Sequence, residues 1–202
     1  MPAIVVPFRG AEGKSRLHES RRMRRTLALA MLGDVLAACS AVGETTVVTA
    51  DDEARGLAID LAIATAVDPG GGQGPAVEAA LRGLQPGAIL LVNADVPCVV
   101  PHDLRALLAA TPAGGIALVE ALDGTTNALS LPSPEVFAPL YGRGSAARFR
   151  AHARELGLQA VAVAIPNLVD DVDTIDDLQR VGLRAGPRTQ AALTELSAEV
   201  PS

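Results

Sequence analysis

Lys14 is the single lysine among 17 basic side chains; the other 16 are arginine. It stands in Pro7-Phe8-Arg9-Gly10-Ala11-Glu12-Gly13-Lys14-Ser15-Arg16-Leu17, directly after the apolar run Ala3-Ile4-Val5-Val6. A glycine-punctuated loop that leaves a buried strand and carries Lys and Arg can cradle phosphates through backbone N–H groups and fixed cations. Lysine is a compact point charge on a flexible stem and arginine a rigid fork, so the two differ around a triphosphate. A lysine left on a solvated loop is the alternative that the segment alone leaves open. A P-loop is excluded, because the glycine it requires five residues before Gly13 is Phe8 here.

Asp95 follows the most apolar run of the chain, Ala88-Ile89-Leu90-Leu91-Val92, in the turn Asn93-Ala94-Asp95-Val96-Pro97. A carboxylate there, near phosphates, is a natural magnesium ligand, since Mg²⁺ takes a few carboxylates together with phosphate oxygens. The competing role is a turn or capping aspartate. The later cluster Asp170, Asp171, Asp173, Asp176 and Asp177 offers Asp173 as a second metal carboxylate. The other four are read as N-terminal charge bias on the following helix. Gly70-Gly71-Gly72-Gln73-Gly74 allows close backbone approach to a flat ligand such as a purine base, although composition alone also fits a surface loop. Thr125, Thr126, Gly142 and Ser145 supply hydroxyls and N–H groups, with the helix expected after Ser145 as an anion site.

These segments need a scaffold that gathers them. Strands are expected at 3–6, 45–49, 61–67, 88–92, 115–120, 127–131 and 159–165. Helices are expected at 24–41, after Asp51 or Asp52, from Pro75 to about 84, at 101–110, from Ser145 to 156 and at 175–181. The alternation predicts a three-layer α/β/α domain with a mainly parallel sheet over residues 1–184, and a loosely held tail over 185–202. Ligands of open α/β sheets gather outside the carboxyl ends of strands. The candidate nucleotide contacts are therefore Pro7, Arg9, Gly10 and Lys14 on the first loop, Thr49 on the second, and Gly72, Gln73 and Gly74 on the third.

Composition narrows the class further. Aromatics make up 2% of the chain and the net charge is −6, which argues against a nucleic-acid surface. Residues 9–25 reverse that charge locally, with seven cationic side chains against Glu12 and Glu19, which suits an anionic small ligand. Within that stretch, Arg21 to Arg25 read as a solvated helix face. Cys39 and Cys98 lack metal spacing and are expected as reduced thiols in a cytoplasmic protein, with no membrane span and no secretory leader. Oligomeric state is left open, a homodimer included.

The segments PFRGAEGKSRL (7–17), NADVP (93–97), DGTTNAL (123–129), YGRGS (141–145) and DVDTIDDL (171–178) occur in one order. Together they resemble the guanylyltransferases of coenzyme F-420 biosynthesis, which act on 2-phospho-L-lactate or phosphoenolpyruvate. The resemblance spans about residues 3–183. It implies a nucleotide-diphospho-sugar transferase type of fold and Mg²⁺ as cofactor, with GTP and a small phosphorylated three-carbon acid as partners. It also implies Lys14 and Arg16 on the triphosphate and Asp95 on the metal, with Thr125 or Thr126, Gly142 and Ser145 on the acid. The chain departs from the family at Arg9 for lysine, at Asn93 for proline, and at Gly72-Gln73-Gly74 for Gly-Leu-Asn. The departures leave open a same-fold enzyme with another base or acceptor, such as 3-phosphoglycerate or molybdopterin, or an inactive nucleotide-binding protein. The expected chemistry is in-line attack of the acceptor phosphate on the α-phosphorus, with Lys14, Arg16 and Asp95 as the catalytic groups.

Overall fold

Ile4, Val5 and Val6 are all buried, and they face alternate sides of a sheet because side chains reverse direction at each step along a strand. Their strand, β1 (Ala3–Pro7), pairs in parallel with β2 (Glu44–Thr49) and with β4 (Ile89–Val92). The structure is a computed structural model and describes residues 1–10 and 21–199. Its sheet has seven strands, adding β3 (Ala64–Val67), β5 (Ile116–Glu120), β6 (Thr126–Leu131) and β7 (Ala160–Ala162), in the order β3-β2-β1-β4-β6-β5-β7. All neighbouring pairs are parallel except those of β6, which runs against both β4 and β5.

Helices cover both faces. They are α1 (Arg21–Ser40), α2 (Asp52–Asp60), α3 (Gln73–Leu81), α4 (Pro101–Ala110), α5 (Ser145–Glu155), α6 (Pro166–Val169), α7 (Ile175–Val181) and α8 (Pro187–Glu199). Ile4, Val6, Leu90 and Val92 pack on one side with Leu32 and Leu36 of α1 and Leu104 and Leu107 of α4. Val5, Ile89 and Leu91 pack on the other with Val77 of α3 and Phe149 of α5. The expected three-layer α/β/α arrangement is thus present. All four residues of β4 are buried, as befits the central strand of the seven. None of the described helices is long and apolar enough to cross a membrane.

Several boundaries differ from the sequence expectation for local reasons. The third strand starts at Ala64 rather than at residue 61. Leu61 still closes α2 by donating to the Leu57 and Ala58 carbonyls, and Ala62 turns the chain at φ 54°. The last strand stops at Ala162, and Pro166 then opens the short helix α6. Ser145 is not the cap of α5. Gly144 occupies that position at φ 71°, and Ser145 is the first helical residue. Asp51 caps α2 as expected, accepting from the Glu53 and Ala54 N–H groups.

The largest departure is at the C-terminus. In place of a loose tail, residues 187–199 form α8, which packs on α1. Ala192 and Leu196 join Leu27, Met31, Cys98, Val172 and Val181 in a third apolar cluster. The buried carboxylate of Asp34, in the middle of α1, accepts the N–H groups of Arg188 and Thr189 at 3.0 and 2.9 Å and so caps α8 across the fold. Asp34→Ala leaves those donors without their acceptor. It is expected to lower stability by about 2 kcal/mol, or roughly 4–8 °C in melting temperature. A variant melting with the wild type would remove Asp34 as the anchor of α8.

Candidate active site

The end of β1 delivers the first loop to the rim of the sheet. Phe8 is buried and its N–H donates to the Val48 carbonyl at 2.9 Å, which fixes where the chain leaves the sheet. Gly10 follows at φ 75°, a left-handed conformation that disfavours any side chain. A Cβ there would also lie 3.2 Å from the Asp51 carboxylate. Lys14 and Arg16, the two expected triphosphate cations, lie outside the described residues.

The end of β4 delivers Asp95. Its backbone carbonyl accepts the N–H of Val172 at 2.9 Å, and the Pro97 carbonyl accepts the N–H of Gly186 at 2.7 Å. The segment before α7 and the turn before α8 are thereby laid against the Asp95 loop. Val172 is fully buried, so its neighbours Asp171 and Asp173 turn the other way, toward Asp95. One ligand oxygen from each of Asp95, Asp171 and Asp173 lies within 4.8 Å of the others. Asp173 lies beside Asp95, and so does Asp171, which the sequence alone reads as helix charge bias. The usable signal was the alternation Asp171-Val172-Asp173, which in extended chain puts both carboxylates on one side.

Three carboxylates this close repel each other. Burial is the largest influence on Asp171, followed by the charge of Asp95 and also that of Asp173, and together they push its pKa up to about 6. A divalent cation would relieve that repulsion, and an all-oxygen donor set suits a hard cation. Two further acids of the cluster, Asp170 and Asp177, are structural. Asp177 accepts from the N–H groups of Asp173 and Thr174 in a capping box at the start of α7. Asp170 pairs with Arg180 and Arg184 at 3.1 and 2.6 Å.

Two cavities meet at Arg9 and Gly10. The smaller, about 220 Å³, is lined by Pro7, Phe8, Gln73, Asn93, Asp95 and Asp173 among others. The larger, about 650 Å³, is lined by Arg21, Arg24, Arg25, Ala50, Asp51 and Asp68 besides the shared pair. The first turn of α1 is therefore not merely a solvated basic face, because three of its arginines border the larger cavity. Arg25 is engaged there by Asp51 at 3.2 Å and Glu53 at 2.8 Å.

The other expected contacts divide. Gln73 lines the small cavity and donates from Nε2 to Asn93 Oδ1 at 2.6 Å. Gly72 precedes α3 at φ 118°, and Gly74 packs so closely that a Cβ would approach the Pro139 Cβ to 2.6 Å. Thr49 is fully buried, and its hydroxyl accepts the Asp51 N–H at 3.0 Å, so it shapes the turn into α2 from beneath. Thr126 and Ser145 are buried and hydrogen bonded to each other at 3.0 Å, which ties β6 to the first turn of α5. Thr125 is held by Asp123 in a tight turn, with its hydroxyl 2.6 Å from Oδ1. Gly142 sits at φ 103° in a loop whose carbonyls at Leu140, Tyr141 and Arg143 all accept from the Arg148 guanidinium. Arg148 was not singled out in the sequence, because a helical arginine carries no mark of the loop it holds.

Residues 2–200 match a family model described as guanylyl transferase CofC like. The chain is 40% identical over 209 aligned positions to a phosphoenolpyruvate guanylyltransferase of Streptomyces coelicolor, covering 96% of each chain. A phosphoenolpyruvate guanylyltransferase of Streptomyces scabiei is 36% identical over 210 positions, again covering 96% of each. Among solved structures, a chain described as a nucleotide-diphospho-sugar transferase from Desulfovibrio desulfuricans G20 superposes with a TM-score of 0.78 at 17% identity. That match covers 98% of this chain and 95% of that one, a likeness of fold.

Proposed function

The chain belongs to the CofC-like guanylyl transferase family, and from that membership we propose that it transfers GMP from GTP to phosphoenolpyruvate, releasing pyrophosphate. The observation that supports this reading most is the junction of the two cavities. Arg9 and Gly10 border both, with Asp95 and Asp173 on one side and the α1 arginines on the other. A cavity of about 220 Å³ is small for a nucleotide, since ligand sites usually run from about 300 to 1,000 Å³. The joined space is large enough for a nucleotide.

Both substrates are anions and repel each other. Arg9 at the junction, with Lys14 and Arg16 on the first loop, neutralises the triphosphate and holds the α-phosphorus near Asp95. Asp95, Asp171 and Asp173 would hold Mg²⁺. Bound there, the ion would supply positive charge against the negative charge gathered as the two substrates meet. Phosphoenolpyruvate already carries a nucleophilic phosphate oxygen, so no side chain need act as nucleophile. That oxygen forms the new bond to the α-phosphorus as the bond to the β-phosphate oxygen breaks, and pyrophosphate departs with the electron pair. The protein contributes position and fixed charge, as in other phosphoryl transfers. The product joins the acid to GMP through a diphosphate, an activated phosphoanhydride suited to the assembly of coenzyme F-420.

The loop from Tyr141 to Gly144, with Thr125 beside the start of α5, is the proposed seat of the acid. Arg148→Ala removes the guanidinium that closes this loop. It is expected to raise KM for phosphoenolpyruvate about tenfold while changing KM for GTP less than twofold. Equal changes in both would remove the assignment of this loop to the acid. The function itself is tested by offering GTP, ATP, CTP and UTP with phosphoenolpyruvate, 2-phospho-L-lactate and 3-phosphoglycerate, and weighing the products. GTP with phosphoenolpyruvate should give the fastest adduct; a tenfold preference for any other pair contradicts the reading.

A further inference from the structure

Gln73 opens α3 and Asn93 follows β4, and their amides form a chain of fixed polarity. The chain starts at the Val169 carbonyl, which accepts from Asn127 Nδ2 at 3.2 Å. Asn127 therefore turns its Oδ1 toward Asn93. Asn93 Nδ2 donates to that oxygen and to the Thr126 carbonyl, both at 3.2 Å. Its own Oδ1 is left to accept, and it does so from Gln73 Nε2 at 2.6 Å. Backbone carbonyls can only accept, so none of these amides can be reversed without losing bonds. The orientation reaches Gln73 intact: its Nε2 is committed to Asn93, and its Oε1 is the end left for other partners.

Gln73, Asn93, Asp95 and Asp173 line the same small cavity. A fixed, uncharged acceptor there is a poor neighbour for the phosphorylated acid, whose phosphate and carboxylate oxygens are themselves acceptors. It suits a hydroxyl donor. The donors closest to an α-phosphate are the ribose hydroxyls, a few bonds away along the same nucleotide. Residue 74 cannot take over this contact, because a side chain there would collide with Pro139.

We infer that Gln73, oriented by Asn93, accepts a hydrogen bond from a ribose hydroxyl and so makes the site selective for ribonucleotides. This inference rests on the reading above, which puts the α-phosphate of GTP beside Asp95 and Asp173. The test compares kcat/KM for GTP, 2′-deoxy-GTP and 3′-deoxy-GTP, with phosphoenolpyruvate saturating, in the wild type, Gln73→Met and Asn93→Ala. One neutral hydrogen bond predicts that the wild type prefers GTP over at least one deoxy analogue by about tenfold. Gln73→Met should reduce that preference below about threefold. Asn93→Ala should reduce it in the same direction by freeing the amide to turn, and melting curves run alongside report whether that variant is folded. A preference that survives Gln73→Met, or a wild type that treats all three nucleotides alike, overturns the inference. A wild type that turns over none of them overturns guanylyl transfer itself, so the two failures are distinct.

Discussion

Asp171→Asn is expected to lower kcat/KM by at least about a hundredfold and, at the same time, to raise the melting temperature of the metal-free protein. The two effects have one origin. Asp171 is drawn out of water beside Asp95 and Asp173, and its pKa is pushed up to about 6. A carboxyl whose pKa is raised in the folded chain costs stability increasingly as pH rises from its unfolded to its folded pKa, and above the folded value the full cost is in place. At pH 7.5 the neutral amide removes the cost. Two pKa units correspond to about 3 kcal/mol, and discounting for partial exposure leaves roughly 1–2 kcal/mol, a gain of about 2–8 °C. Under the proposed function, the same change removes one of the three carboxylates that would hold Mg²⁺. An ordinary structural aspartate would behave oppositely, losing stability with little change in turnover. Thermal melts in chelator and steady-state assays at saturating Mg²⁺ separate the two cases.

Lys14→Ala is expected to reduce kcat/KM by about 10²–10³ with no change in melting temperature. The loop that carries Lys14 leaves β1 beside Arg9, at the point where the two cavities join. One compact ammonium among arginines is a choice of geometry, so Lys14→Arg should recover less than a tenth of the loss. Turnover by Lys14→Ala within threefold of the wild type would remove Lys14 from the reaction.

Much of this arrangement was legible in the residues. Continuous apolar runs such as 88–92 mark strands buried on both faces, and the loops that follow β1, β3 and β4 do supply the walls of the two cavities. Local signals failed where tertiary contacts decide. The tail composition of 185–202 gives no hint that Asp34, more than 150 residues earlier, caps a helix there. Thr49, Thr126 and Ser145 have the residue types of a binding site, but each spends its hydroxyl inside the fold. Residue type tells what a hydroxyl can do and not where it points, because direction depends on strand register and on partners far away in sequence. Asp171 is the reverse case. Its alternation with Asp173 around an apolar valine was visible in the sequence, but the nearby start of α7 offered an easier explanation for a run of acids. No local rule discloses that Asn93 joins Gln73 to Asn127.

The central claim is that one site brings the phosphate of the acid to the α-phosphorus of GTP. The most direct measurement follows oxygen. Phosphoenolpyruvate labelled with ¹⁸O in its phosphate is incubated with GTP, Mg²⁺ and the enzyme, and both products are weighed. All the label should appear in the guanylylated acid and none in pyrophosphate. Labelled pyrophosphate, or GTP consumed without any guanylylated acid, would contradict the account.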